Sequence, residues 1–143
     1  MIQRLQSIFL LLASGSCFGL FGTDAADSPA PVADSTLFQD ASFNVFDSPV
    51  LIGAFALAGV LLLASIFLFK NRPLQSKIAM VSILAVVIGV GFGLYLFFTA
   101  RVPAGVTPDV GLGLPLVAII FGILAGKYIK ADEKLVRSAD RLR

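Results

Sequence analysis

The sequence predicts an all-α fold: a polytopic membrane protein with four transmembrane helices and a C-terminal amphipathic helix, in one membrane domain spanning residues 1–143. Three observations carry this. Hydrophobic residues make up 57% of the chain and charged residues 14%, with a mean hydropathy of +0.93, whereas a water-soluble domain carries roughly 25% charged residues. The charges lie between and beyond four apolar runs, at about 5–22, 50–69, 78–100 and 110–126. Each run is bounded by the proline, glycine and small polar residues that start or stop helices. In hydrocarbon every backbone polar group must be satisfied within the chain, so runs of this length are helices.

The first run, residues 5–22, follows Arg4 and makes a short span of about 27 Å at ~1.5 Å per residue. A basic start and an apolar centre also suit a signal peptide. The cleavage patterns are poor, however. Thr23-Asp24-Ala25 is a weak small-x-small site, and Ser14-Gly15-Ser16-Cys17 has serine where a lipoprotein box wants a leucine-like residue. A retained helix with Cys17 as a small buried residue is the expectation.

Residues 24–48 are different in kind, with Asp24, Asp27, Asp34, Asp40 and Asp47 and no lysine or arginine. Their spacing is not that of a calcium loop. A solvated connector is the simplest account. Leu37, Phe38, Phe43, Val45 and Phe46 suggest instead that the loop lies at the headgroups or folds back on the helix ends.

Ser48-Pro49 is a helix cap with proline in the first turn, opening the charge-free run 50–69, which is about 30 Å long. Lys70-Asn71-Arg72-Pro73 ends that run and starts the next helix, whose apolar body is 78–100, so the two form a hairpin. Pro103 stops it. Thr107-Pro108-Asp109 begins the fourth span, in which Pro115 predicts a bend or a late start. Neither glycine nor proline separates that span from residues 127–143, so one helix is expected to run through both.

In this tail Lys127, Lys130, Lys134, Arg137 and Arg141 form one stripe at alternating spacings of three and four. Tyr128, Ala131, Leu135, Ala139 and Leu142 lie opposite, widened by Ile129 and Val136. Glu133 is placed to pair with Arg137, and Asp132 falls on the otherwise apolar face. The stripe can serve as a topology signal, as a contact for anionic lipid, or as the edge of a docking helix that binds through Leu135 and Leu142. Nucleic acid is not expected, because acids and a lack of interleaved aromatics dilute the patch.

Charge asymmetry sets the orientation. Four spans place Arg4, Lys70, Arg72, Lys77 and all six basic residues of the tail on one side, leaving Arg101 alone among eleven on the other. Six of the nine acids fall on that other side. Lysine and arginine favour the cytoplasmic side, so both termini are expected there and the acidic loop outside.

The spans hold no Asp, Glu, Lys, Arg or His, the usual marks of proton relays, ion paths and intramembrane catalysis. Ser65, Ser82, Tyr95 and Thr99 are lone hydroxyls, which backbone carbonyls normally satisfy. An enzyme is not expected, nor a cofactor or a metal. Small residues recur at every fourth position, in Ala85/Gly89/Gly93 and Ala118/Gly122/Gly126 among others. This spacing lets helices approach closely, either within the chain or across a homo-oligomer seam.

The start, MIQRLQSIFLLL, and the finish, DEKLVRSADRLR, resemble a family of small bacterial membrane proteins, found mainly in the Bacteroidetes and classed as a domain of unknown function. The resemblance covers the whole chain in layout and the two ends in motif. It implies four membrane helices and a retained first helix, and it supplies no activity, substrate or cofactor. The expected protein is a multi-pass component of the bacterial inner membrane, a non-enzymatic scaffold or interaction partner that touches lipid or a cytoplasmic protein through its tail. The alternative is a subunit of a small oligomeric transporter or channel. A reporter active only outside the membrane, fused after Arg143, is expected to be silent, and activity there would overturn the orientation.

Overall fold

A computed structural model describes residues 2–143, with side chains described from Leu5 onward, so the side chain of Arg4 lies outside the described set. Helix α1 (Ile2–Gly19) runs into a 3-10 turn, Leu20–Gly22. Helices α2 (Pro49–Phe67), α3 (Arg72–Thr99) and α4 (Leu114–Asp140) complete the bundle. The chain is all-α in its architecture, and four of its helices are long and apolar enough to cross a membrane. It is a multi-pass membrane protein.

The helix starts follow local chemistry. The Ser48 hydroxyl accepts from the Val50 N–H at 3.2 Å, with Pro49 in the first turn, where its missing donor costs nothing. The Asn71 side chain accepts from the Leu74 N–H at 3.3 Å and starts α3 at Arg72, ahead of its apolar body. Pro115 sits in the first turn of α4, so of the two outcomes expected of it the structure shows the late start. From there α4 continues without a break through the tail to Asp140.

Each helix packs on two neighbours: α1 on α2 and α4, and α3 on α2 and α4. This is the ring of an up-down-up-down bundle. Its interior is built largely of small residues, with Ala13, Cys17, Ala58, Ala79, Ala118 and Ala125 buried beside Leu10, Leu62 and Ile129. Lipid tails are as apolar as leucine, so burial alone does not hold such helices together. Close approach and dispersion do. Ser14 adds a cross-helix bond, its hydroxyl donating to the Gly59 carbonyl at 2.8 Å. Leu57, Val60, Met80, Val87, Ile120 and Ile123 point outward, where lipid solvates them.

The acidic loop is folded and does not hang free as a solvated connector. Strand β1 (Ala26–Asp27) pairs antiparallel with β2 (Ser42–Phe43) and with β3 (Thr107–Pro108), giving the order β2-β1-β3. Leu37, Phe38, Phe43 and Val45 are buried, and Phe46 is exposed but meets Phe21 edge-on. Phe38 and Phe43 both pack on Phe97 of α3, with ring centroids 6.4 and 6.3 Å away. The loop's large apolar residues are therefore the anchor that ties it to the helix ends. At Gly111 an added Cβ would lie 2.5 Å from the Asp24 carbonyl oxygen, so only glycine lets the chain pass this close to the backbone that leads into β1.

The small-residue faces differ among themselves. A Cβ on Gly89 would meet the Phe55 ring at 2.9 Å, and one on Gly122 would meet Ile83 Cγ1 at 2.9 Å. Gly93 has ordinary contact distances, and Gly126 has open space. Gly122→Leu is therefore expected to separate α3 from α4 and destabilise the bundle by about 1–3 kcal/mol, the usual cost of overpacking. Gly126→Leu is expected to leave stability nearly unchanged. Thermal unfolding of the two variants in one detergent checks the contrast.

Candidate interaction surface at the basic end

Helix α4 changes environment along its length. Phe121 and Tyr128 stack on either side of Phe9 of α1, at centroid distances of 5.8 and 5.4 Å, and Ile129 is fully buried. One turn on, Asp132 Oδ2 lies 2.7 Å from Arg72 Nε in the first turn of α3, both side chains being largely buried. This pair explains the acid on the tail's apolar face: it fastens the root of the tail to the α2–α3 turn. Beyond Glu133, residues 134–143 are all exposed among the described residues.

Lys127, Lys130, Lys134, Arg137 and Arg141 are all exposed, as the spacing of the stripe requires. Lys130, Lys134, Arg137 and Arg141 line a shallow open groove with Glu133 and Ser138. Glu133 Oε1 is 2.7 Å from Arg137 Nη2, the helical pair expected one turn apart. Being solvated, it contributes little. The apolar side divides in two. Tyr128 and Ile129 belong to the bundle, while Leu135 is 55% exposed and Leu142 90% exposed. The structure thus brings the basic stripe and Leu135 together on one protruding segment, and it separates Tyr128 and Ile129 from that segment.

Two buried amides close to this end escaped the pattern of the sequence. Gln75 of α3 is fully buried; its Nε2 donates to the Ser65 carbonyl at 2.9 Å, and the Ser65 hydroxyl donates to the Gln75 carbonyl at 3.2 Å. The two form a reciprocal clamp across the hairpin. Gln6 of α1 is also fully buried, and neither of its amide atoms has a hydrogen-bond partner among the described residues. Ser82 and Thr99 bond backbone carbonyls four residues back, as expected of lone hydroxyls, whereas Ser65 reaches across to another helix.

At the opposite end the small sheet gathers Asp24, Asp27 and Asp109, with one carboxylate oxygen from each within 4.8 Å of the others. Such oxygens suit a hard cation, but calcium takes six to eight of them. Asn44 Nδ2 donates to Asp24 Oδ1 at 3.0 Å. Half-burial, and then the carboxylates of Asp109 and Asp24, push the Asp27 carboxyl above its ordinary value. No spacing rule could have found this cluster, because the pairing of β1 with β3 creates it.

Compared with known proteins, residues 2–142 match one family, described as Domain of unknown function (DUF4293). No curated protein and no solved structure matches.

The raised Asp27 carboxyl has a consequence for stability. The folded chain holds that proton more readily than the unfolded chain does. Stability therefore falls as pH rises from the unfolded value through the raised one, and it is recovered in acid. Asp27→Asn is expected to raise the unfolding temperature at neutral pH, and the gain should shrink towards zero as pH falls through the carboxylate range. Paired melting curves across that range check this; a gain independent of pH would contradict it.

Proposed function

We propose, starting from the fact that the chain belongs to this family of unknown function, that it is a non-enzymatic interaction or scaffold component of a membrane, working through the tail of α4. One observation carries the reading: α4 leaves the bundle as a continuous helix, held at its root by Arg72–Asp132, with its basic stripe and Leu135 and Leu142 uncovered. A topology signal needs only charge. It does not need a rigid helix with a separate apolar edge.

In this reading the bundle sits in a bacterial inner membrane with both termini in the cytoplasm, which the ten-to-one division of basic residues supports. Lys127 and Lys130 lie at headgroup level, each adding about 1 kcal/mol of attraction to anionic lipid. Lys134, Arg137 and Arg141 reach further and face a cytoplasmic protein, with Leu135 and Leu142 as the apolar contacts. The alternative, a subunit of an oligomeric transporter or channel, is favoured by one feature, the buried amide of Gln6 inside the bundle, which has no partner among the described residues.

The test compares the intact chain with one ending at Lys130, each recovered from membranes in gentle detergent. The intact chain is expected to retain a cytoplasmic protein that the shortened chain loses. Recovery of the same proteins by both would end the docking reading. A stable homo-oligomer with a water-accessible centre would favour transport.

A further inference from the structure

A second surface lies at the opposite end of the bundle from the tail. Between α3 and α4, opening sideways in their acidic-end halves, is a cleft of about 490 Å³. On its α3 side Gly89 and Gly93 put no side chain into the gap. Leu51 and Phe55 of α2 form its back wall, Leu116 of α4 one side, and Ala26 and Pro108 of the small sheet its roof. Asn44 is its single polar lining side chain, and that amide is already engaged by Asp24. The cleft therefore offers dispersion contacts and no free hydrogen-bonding group.

Two features of the cleft say what fits it. The first is depth. From Gly89 to Phe98 the α3 wall rises about 14 Å, close to half of a hydrocarbon core of ~30 Å. The cleft is one leaflet deep, and Phe98 and Leu116 at its mouth, 80% and 59% exposed, face the lipid. The second is charge. Asp27 of the sheet that roofs the cleft gathers with Asp24 and Asp109 beside it, and Arg101 is the lone basic residue in the segments at that end. An anionic headgroup is repelled there, and one bearing an ammonium is attracted. We infer that the α3–α4 cleft holds one acyl chain of a phospholipid with an amine-bearing headgroup, drawn from the leaflet at the acidic end. The site is independent of the tail and stands whether or not the tail docks a protein.

The test uses the full chain in bilayer nanodiscs containing a phospholipid with a photoactivatable group on its acyl chain, in ethanolamine-headed and glycerol-headed forms, with crosslinks mapped by peptide mass spectrometry. Ethanolamine-headed lipid is expected to label residues 89–98 and 112–116 several-fold above the outward positions Leu57, Val60 and Val87. Gly93→Leu should cut that labelling several-fold. Its Cβ would sit 3.6 Å from Leu51 Cδ2, so the new side chain fills the cleft without a backbone clash. Leu116→Phe, on the opposite wall, is expected to do the same should Gly93→Leu fail to fold. Equal labelling of cleft and outward faces, or labelling that survives filling of the cleft, means bulk lipid solvation only and overturns the site. Equal or stronger labelling by the glycerol-headed lipid overturns the headgroup preference.

Discussion

Within hydrocarbon a backbone amide has no water to turn to, and this constraint governs the structure. It forces the apolar runs into helices, and it removes the usual burial force between them, since lipid is as good a solvent for leucine as a protein core. What remains is close approach. The bundle meets that need with alanine and glycine where helices cross, Gly89 against Phe55 and Gly122 against Ile83, and sends its large branched side chains outward to lipid. The same economy of volume leaves a cleft beside α3 where Gly89 and Gly93 carry no side chain to fill it.

The two ends of the bundle solve different problems. At the acidic end the loop brings its own aromatic residues back to Phe97 and closes a three-stranded sheet with the α3–α4 connection. That closure partly desolvates Asp27 and brings Asp109 and Asp24 beside it, and both effects, desolvation first, raise its carboxyl. At the basic end the connection between α2 and α3 is short, the Ser65–Gln75 clamp locks it, and Arg72 reaches over to α4. A charge pair out of water is useful there mainly for position, because desolvation offsets most of its attraction. It sets where the tail leaves the bundle.

Helix number, the capped start at Ser48 and the unbroken run of α4 into the tail were legible in the sequence, because each rests on local chemistry or on a period of 3.6 residues; the Asn71 cap was not read, and the start expected at Thr107-Pro108-Asp109 is a strand, with α4 beginning at Leu114. The basic stripe was legible for the same reason. The two-residue strands were not: a pair such as Ala26–Asp27 has no period to detect, and its structure comes from partners at Ser42–Phe43 and Thr107–Pro108. Gln6 and Gln75 were passed over because a neutral amide near a helix end looks like a surface residue until its neighbours are known.

The sequence by itself determined how many helices are long and apolar enough to cross a lipid bilayer and which residues share a face, since these depend on composition and on neighbours a few positions away. Only the tertiary structure decided which faces are used. It assigned Tyr128 and Ile129 to the bundle and left Leu135 free, paired Asp132 with Arg72, separated Gly122 from Gly126 by what each would meet, and drew Asp24, Asp27 and Asp109 together. Each of these depends on a contact between residues far apart in the chain, and no local period encodes such a contact.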